Sequence, residues 1–237
     1  GADAVRWYML AAGSPWSARR VGHDAISDVV RKTLLTYWNT ISFHALYAQA
    51  SDFELSQSPA LKDRTLMDRW ILSELNVLIA EVDKAYTEFD SQSAGRVLAR
   101  FIDELSNWYV RRSRRRFWDG DSAALATLHE CLETLTQLLA PMVPFISEHA
   151  WQELIRPANS QAAASVHLTD FPIADSELIN RTLSTQVAMT RRVVEQGRAA
   201  RAESGIKIRQ PLGRALISAP GWDKLPIEMK DQIADEL

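Results

Sequence analysis

Cysteine is nearly missing from this chain: of its 237 residues only Cys131 carries a thiol. One thiol excludes an intrachain disulfide and a cysteine-built zinc site, so the chain is expected to hold no metal and to work in a reducing cytoplasm. Long apolar runs are missing as well, and no uninterrupted hydrophobic stretch has the length of a membrane span. Catalytic groupings are equally scarce. No carboxylate pair, metal-ligand spacing or nucleophile with a base stands in a recognisable setting; Glu148-His149 comes nearest and is too generic to use. No catalytic residue is therefore assigned. His149 has no second ligand at helical spacing and reads as a structural residue. There is no initiator methionine, and the chain opens on Gly1 in one helical pattern and stops at Leu237 in another, so both ends are expected to continue in a longer protein.

What is present is ordinary globular composition, 46% hydrophobic and 24% charged, with a net charge of −3 that hides an uneven distribution. Residues 96–116 are strongly basic, whereas 52–54, 74–88 and 228–236 lean acidic. A local basic surface suits a partner with a defined phosphate contour better than a bulk polyanion.

Apolar residues recur at three and four, the mark of amphipathic helices. The pattern predicts a short helix over 2–12 with Asp3 as its cap, then a long one over 24–50 with Asp24 as a plausible cap. Next come a helix begun near Thr65, carrying Met67, Trp70, Ile71, Leu75, Leu78 and Val82, and another capped by Ser91 or Ser93. A fifth covers 123–139, and Pro141 and Pro144 are expected to kink it before it resumes through Trp151. Long antiparallel helices with short connections make a bundle, so the chain is expected to be mainly α. After Pro157, the segment 158–165 is a low-complexity linker. Val166-His167-Leu168 reads as a strand or extended strap, and a long helix capped by Asp175 or Ser176 runs to about 203. The alternating segment 206–212, a strand at Ala215-Leu216-Ile217 and a helix opened by Pro226 suggest the start of a small α/β module.

The stretch Asn107-Trp108-Tyr109-Val110-Arg111-Arg112-Ser113-Arg114-Arg115-Arg116-Phe117-Trp118 carries the chemistry. Five guanidinium groups sit within six positions between aromatic residues. Arginine forks onto phosphate and stacks on flat rings, and aromatic faces accept unstacked bases, so the mixture suits single-stranded RNA. The plainer reading is a solvated helix end whose positive charge complements the helix dipole. Helical periodicity puts Arg111, Arg115 and Trp118 along one edge.

These motifs, in this order, resemble the C-terminal part of class I aminoacyl-tRNA synthetases of the isoleucyl type. Gly1-Ala2-Asp3-Ala4-Val5-Arg6-Trp7-Tyr8 with Gly13-Ser14-Pro15-Trp16 is similar to the segment after that family's Lys-Met-Ser-Lys-Ser loop. Residues 31–40, Arg-Lys-Thr-Leu-Leu-Thr-Tyr-Trp-Asn-Thr, resemble the first helix of its anticodon-binding bundle. Residues 107–118, the kinked helix at Pro141-Met142-Val143-Pro144-Phe145-Ile146-Ser147-Glu148 and Ile208-Arg209-Gln210-Pro211-Leu212 match in sequence order. The resemblance implies four regions: a tail of the catalytic domain at 1–22, the anticodon-binding helical bundle at 23–157, a linker or strap at 158–174, and at 175–237 a long helix with the start of a C-terminal extension. It implies recognition of the tRNA-Ile anticodon arm by Arg111, Arg112, Arg114, Arg115, Arg116, Trp118 and Asn39, and a monomeric protein.

Neither the His-Ile-Gly-His-type motif nor the Lys-Met-Ser-Lys-Ser loop occurs, and the editing domain is absent too. By the resemblance, ATP and magnesium belong to the full enzyme, a tRNA ligase. Any zinc would have its ligands in the C-terminal part outside this chain, which alone is expected to be inactive. Valyl, leucyl and methionyl enzymes share the bundle architecture, and a helical protein-interaction module with no RNA is the alternative of another class.

Overall fold

The computed structural model describes residues 1–14, 16–18, 20–207 and 210–237. Pro15, inside the break after the first helix, and Ile208 and Arg209, inside the alternating segment 206–212, lie outside the described residues. Two compact units divide the chain, Gly1–Ile179 and Asn180–Leu237.

Among the described residues, every regular element of the first unit is a helix or a helical turn. Helix α1 (Ala2–Ala11) is followed by α2 (His23–Val29), which passes through a π-helical turn at Val30–Leu34 into α3 (Leu35–Ala50). Helix α4 (Leu66–Thr87) starts at Thr65 in a reciprocal capping box: Asp68 N–H bonds to Thr65 Oγ1, and Thr65 N–H bonds to the Asp68 carboxylate. Helix α5 (Ser91–Asp103) continues through a π-helical stretch, Glu104–Val110, to the short α6 (Arg114–Trp118). Helix α7 (Ser122–Leu139) then forms the centre of the bundle, with Leu125, Leu128, Leu132 and Leu138 fully buried. Helix α8 (Pro144–Ala150) runs through another π-helical turn, Trp151–Ile155, into the single turn α9 (Arg156–Ala158).

Several local expectations change, some of them because a distant partner takes the place of a local one. Asp3 does not cap its own helix. Its buried carboxylate accepts from the Ile146 N–H at 2.7 Å and the Phe145 N–H at 3.4 Å, closing the start of α8 from across the bundle. Gly22 rather than Asp24 stands at the start of α2, and Asp24 lies in its first turn. Asp90, not Ser91 or Ser93, caps α5 by accepting from the Ser93 N–H at 2.9 Å, and the Ser91 hydroxyl donates to the Leu10 carbonyl instead. The proline pair does not merely kink a helix. It separates α7 from α8 by a turn whose carbonyls at Pro141 and Met142 accept from the Arg6 guanidinium at 2.9 and 3.1 Å.

Helices α1 and α5 meet at Gly95, where a Cβ would stand 2.9 Å from the Ala11 Cα and closer still to its Cβ. Gly95→Ala is therefore expected to cost about 1–3 kcal/mol through overpacking, despite alanine's better helix propensity. Urea unfolding checks the sign: stabilisation would show that α1 gives way freely.

In the second unit Asn180, rather than Asp175 or Ser176, caps α10 (Arg181–Glu203) by accepting from the Leu183 N–H at 3.0 Å. Helix α11 (Ile227–Glu236) packs on α10, burying Met229 and Ile233. The α/β expectation is corrected here. Among the described residues there is no strand: Ala215, Leu216 and Ile217 belong to no element, and Val166–Leu168 is a 3-10 turn. Alternation makes a segment able to pair, but a strand exists only where a neighbour completes the ladder, and none of the described residues does.

Candidate nucleic-acid interface

The basic stretch is built on a change of helical pitch. Up to Leu105 the buried positions Leu98, Phe101, Ile102 and Leu105 keep α-helical spacing. Through the π-helical stretch the inward positions become Leu105, Tyr109, Ser113 and Phe117, four apart. The wider turn rotates the following residues relative to a straight α-helix. Consequently Tyr109 is fully buried while Trp108 is half-buried.

Phe117 anchors the last turn. It is fully buried, with its ring edge-on to Phe43 of α3 at 5.1 Å and to Tyr109 at 6.2 Å. With Phe117 inside, α6 must show its remaining residues outward. Arg114 and Arg115 are exposed, Arg115 lies 3.8 Å from Asp119, and Trp118 is 77% exposed. Arg111, one turn earlier, is also exposed, and Arg112 is half-buried. Asn39 is exposed on α3, four residues before Phe43 and hence one turn along the helix that carries the contact to Phe117.

Arg116 behaves differently. Its side chain is only 23% exposed, and its fork clasps the Asp68 carboxylate with both contacts at 2.7 Å while its Nε donates to Asp121 at 2.8 Å. Asp68, fully buried, also accepts from the Tyr109 hydroxyl at 2.6 Å and from the Thr65 hydroxyl at 2.8 Å. Burial alone would raise the Asp68 carboxyl, but the bonds from Arg116 and Tyr109 outweigh it and hold the group below its ordinary value. Burial, reinforced by Asp68, pushes the Tyr109 hydroxyl well up, so it stays a donor. Burial also works against the Arg116 charge, and the bonds to Asp68 and Asp121 overcome it to raise its pKa. Asp121 in turn accepts from the Ala123 and Ala124 amides at the start of α7. The sequence reading missed Asp68 and Tyr109 as partners of the basic stretch; the Thr65-to-Asp68 spacing is a capping-box signature, but nothing local links it to Arg116, 48 residues on.

The resulting surface offers separated cations beside an exposed indole on a braced helix. That combination can neutralise phosphates and stack a base. Among the described residues no group of three or more His, Cys, Asp or Glu could hold a metal, and no helix is long and apolar enough to cross a membrane.

The chain is 58% identical over 238 aligned residues to an isoleucine–tRNA ligase of Streptomyces coelicolor, an alignment covering 100% of the chain and 23% of that protein. It is 42% identical over 226 residues to an isoleucine–tRNA ligase of Thermus thermophilus, covering 93% of the chain and 22% of that protein. The chain thus spans about a quarter or less of the length of these relatives. The leucyl-tRNA synthetase in a crystal structure of the Agrobacterium radiobacter K84 LeuRS-tRNA-LeuAMS ternary complex shares the fold, with a TM-score of 0.55 at 20% identity over 76% of this chain and 20% of that one. Residues 68–216 match the family described as the anticodon-binding domain of tRNA ligase, and with more than half of its residues so matched the chain belongs to that family.

Proposed function

We propose that this chain is the tRNA-binding portion of an isoleucyl-tRNA synthetase and that it recognises the anticodon arm of tRNA-Ile. The full protein would attach isoleucine to tRNA using ATP and magnesium, with this chain positioning the RNA. The observation that carries the reading is the outward set Arg114, Arg115 and Trp118 on a helix pinned from within by Phe117. Similarity to isoleucine–tRNA ligases along the whole chain supports isoleucine over the other synthetases that share the bundle. Arg111, Arg112, Arg114 and Arg115 are assigned to phosphates, Trp118 to stacking on a splayed base, and Asn39 to a base edge. In this reading 1–22 continues a catalytic domain, 23–157 reads the RNA, 158–174 is a strap, 175–237 opens a C-terminal extension, and the protein works as a monomer in the cytoplasm.

The test is binding of the chain to tRNA-Ile transcript at two salt concentrations, with tRNA-Val and an anticodon-swapped tRNA-Ile as competitors. Preference for the isoleucine anticodon should persist at the higher salt. Because each phosphate contact contributes a slope of roughly 0.7–0.9 in log K against log salt, Arg114→Ala with Arg115→Ala should lower the slope by about 1.4–1.8. Equal, salt-erased binding of all three RNAs, or unchanged binding by the folded double variant, would sink the reading.

A further inference from the structure

We infer that Arg116, although part of the basic run, is a positioning residue rather than a phosphate ligand: with Asp68, Tyr109 and Asp121 it holds the RNA-facing turn in place. This rests on the proposed RNA-binding role of that turn. Every Arg116 nitrogen is engaged inside the protein. Nη1 and Nη2 each donate to one Asp68 oxygen at 2.7 Å, Nη1 also reaches Thr65 Oγ1 at 3.2 Å, and Nε donates to Asp121 at 2.8 Å. A guanidinium committed in this way has no fork left for an incoming phosphate.

The four residues tie four places in the chain together. Asp68 sits in the first turn of α4, Tyr109 in the π-helical stretch, Arg116 in α6 and Asp121 at the cap of α7. Helix α6 has only five residues, too few to keep its own geometry without tertiary support. Ser113 interrupts the helix before it, and Gly120 with φ of 71° turns the chain immediately after it. Between these two breaks, the Arg116 fork and the Phe117 ring are the inward attachments that define where Arg114, Arg115 and Trp118 point. Phe117 supplies non-directional packing, whereas the planar two-bond fork fixes an orientation.

Lysine cannot reproduce a planar two-oxygen fork together with a third bond in the same plane, so Arg116→Lys keeps the charge and loses the orientation. Asp121→Asn keeps a good helix cap and removes one anion from beside Arg116. Both variants of the 237-residue chain are measured for affinity to a stem–loop RNA carrying the isoleucine anticodon, for the salt slope of that affinity, and for amide exchange of the free protein over residues 113–120.

A positioning role predicts that Arg116→Lys weakens RNA binding about tenfold with the salt slope unchanged and exchange over 113–120 at least tenfold faster, while exchange in α7 stays as in the parent. Asp121→Asn should weaken binding less, again without altering the slope. Parental affinity in Arg116→Lys, or tighter binding with a steeper slope in Asp121→Asn, would mean that Arg116 meets phosphate itself and overturns the inference. Should the parent chain bind no RNA, the RNA-binding reading fails, and exchange still decides on the bracing: unchanged protection in Arg116→Lys rejects it, faster exchange confined to 113–120 upholds it.

Discussion

Asp68→Ala is expected to destabilise the first unit by about 3–5 kcal/mol, the range for removing one partner of a buried ion pair. The size follows from what is left behind. Tyr109, fully buried, loses its 2.6 Å acceptor and keeps only a 3.5 Å approach to the Ala124 carbonyl. Arg116 keeps Asp121 but faces an empty, desolvated site where two charged contacts stood. Thr65 N–H loses the Asp68 half of the capping box, a loss of about 1 kcal/mol in ordinary helices that overlaps with the ion-pair figure rather than adding to it. With a urea m-value near 2 kcal/mol/M the midpoint should fall by roughly 2 M. Trp70, buried two residues further along α4, supplies a fluorescence signal for that transition. Asp83→Ala, at an exposed carboxylate on the same helix, should stay within about 0.5 kcal/mol. A similar effect of the two substitutions would mean that the network contributes nothing beyond a surface charge.

Acid should begin to destabilise this unit below about pH 6.5, because two buried imidazoles have to stay neutral. His44 of α3 and His129 of α7 are each 1% exposed with ring centroids 5.3 Å apart. His44 donates from Nε2 to the Leu125 carbonyl at 3.1 Å, which leaves Nδ1 buried without a partner. His129 Nε2 makes no hydrogen bond and lies 3.9 Å from a Glu133 oxygen whose own carboxyl is raised by burial and by Glu130. Burial pulls His44 down to about 4. Burial, with the neighbouring His44, takes His129 to about 3.

In the unfolded chain both would titrate near 6.5, so below that pH the unfolded state binds protons that the folded state refuses. Their contribution is thus fully present above about pH 6.5 and is lost as pH falls toward the folded values. At pH 5 each site is about 1.5 units below its unfolded pKa, so the two together should cost roughly 4 kcal/mol relative to pH 7.5. Asp68, whose folded pKa is lowered, adds its own loss only further down, below its unfolded value near 4. Urea midpoints measured from pH 7.5 to 5 give the slope, and His129→Leu should remove about half of it. Stability that stays flat over that interval would show that the folded unit accepts protons at both rings.

The sequence by itself determined the helical character of this chain, most of its helix spans and the crowding of its arginines between aromatic residues. Those features depend on short-range causes: apolar residues three and four apart from Met67 to Val82, the helix start at Thr65, and guanidinium groups crowded between aromatic residues. Residue order also puts Asp28 where it pairs with Arg31 and Lys32 within one turn, an interaction any helix would bring about.

The tertiary structure decided which member of a local set does what. Asp3 closes α8 rather than its own helix, and the alternating residues 215–217 form no strand, since a distant cap or a ladder belongs to whichever partner space brings near. It also divided five arginines that are equivalent in the sequence. The π-helical stretch set their phase, and Asp68, 48 residues before Arg116, drew that one inward while Arg114 and Arg115 stayed exposed. Local pattern specifies backbone periodicity because its forces act within one turn; the use of a charge depends on a counter-charge that only the folded chain places beside it.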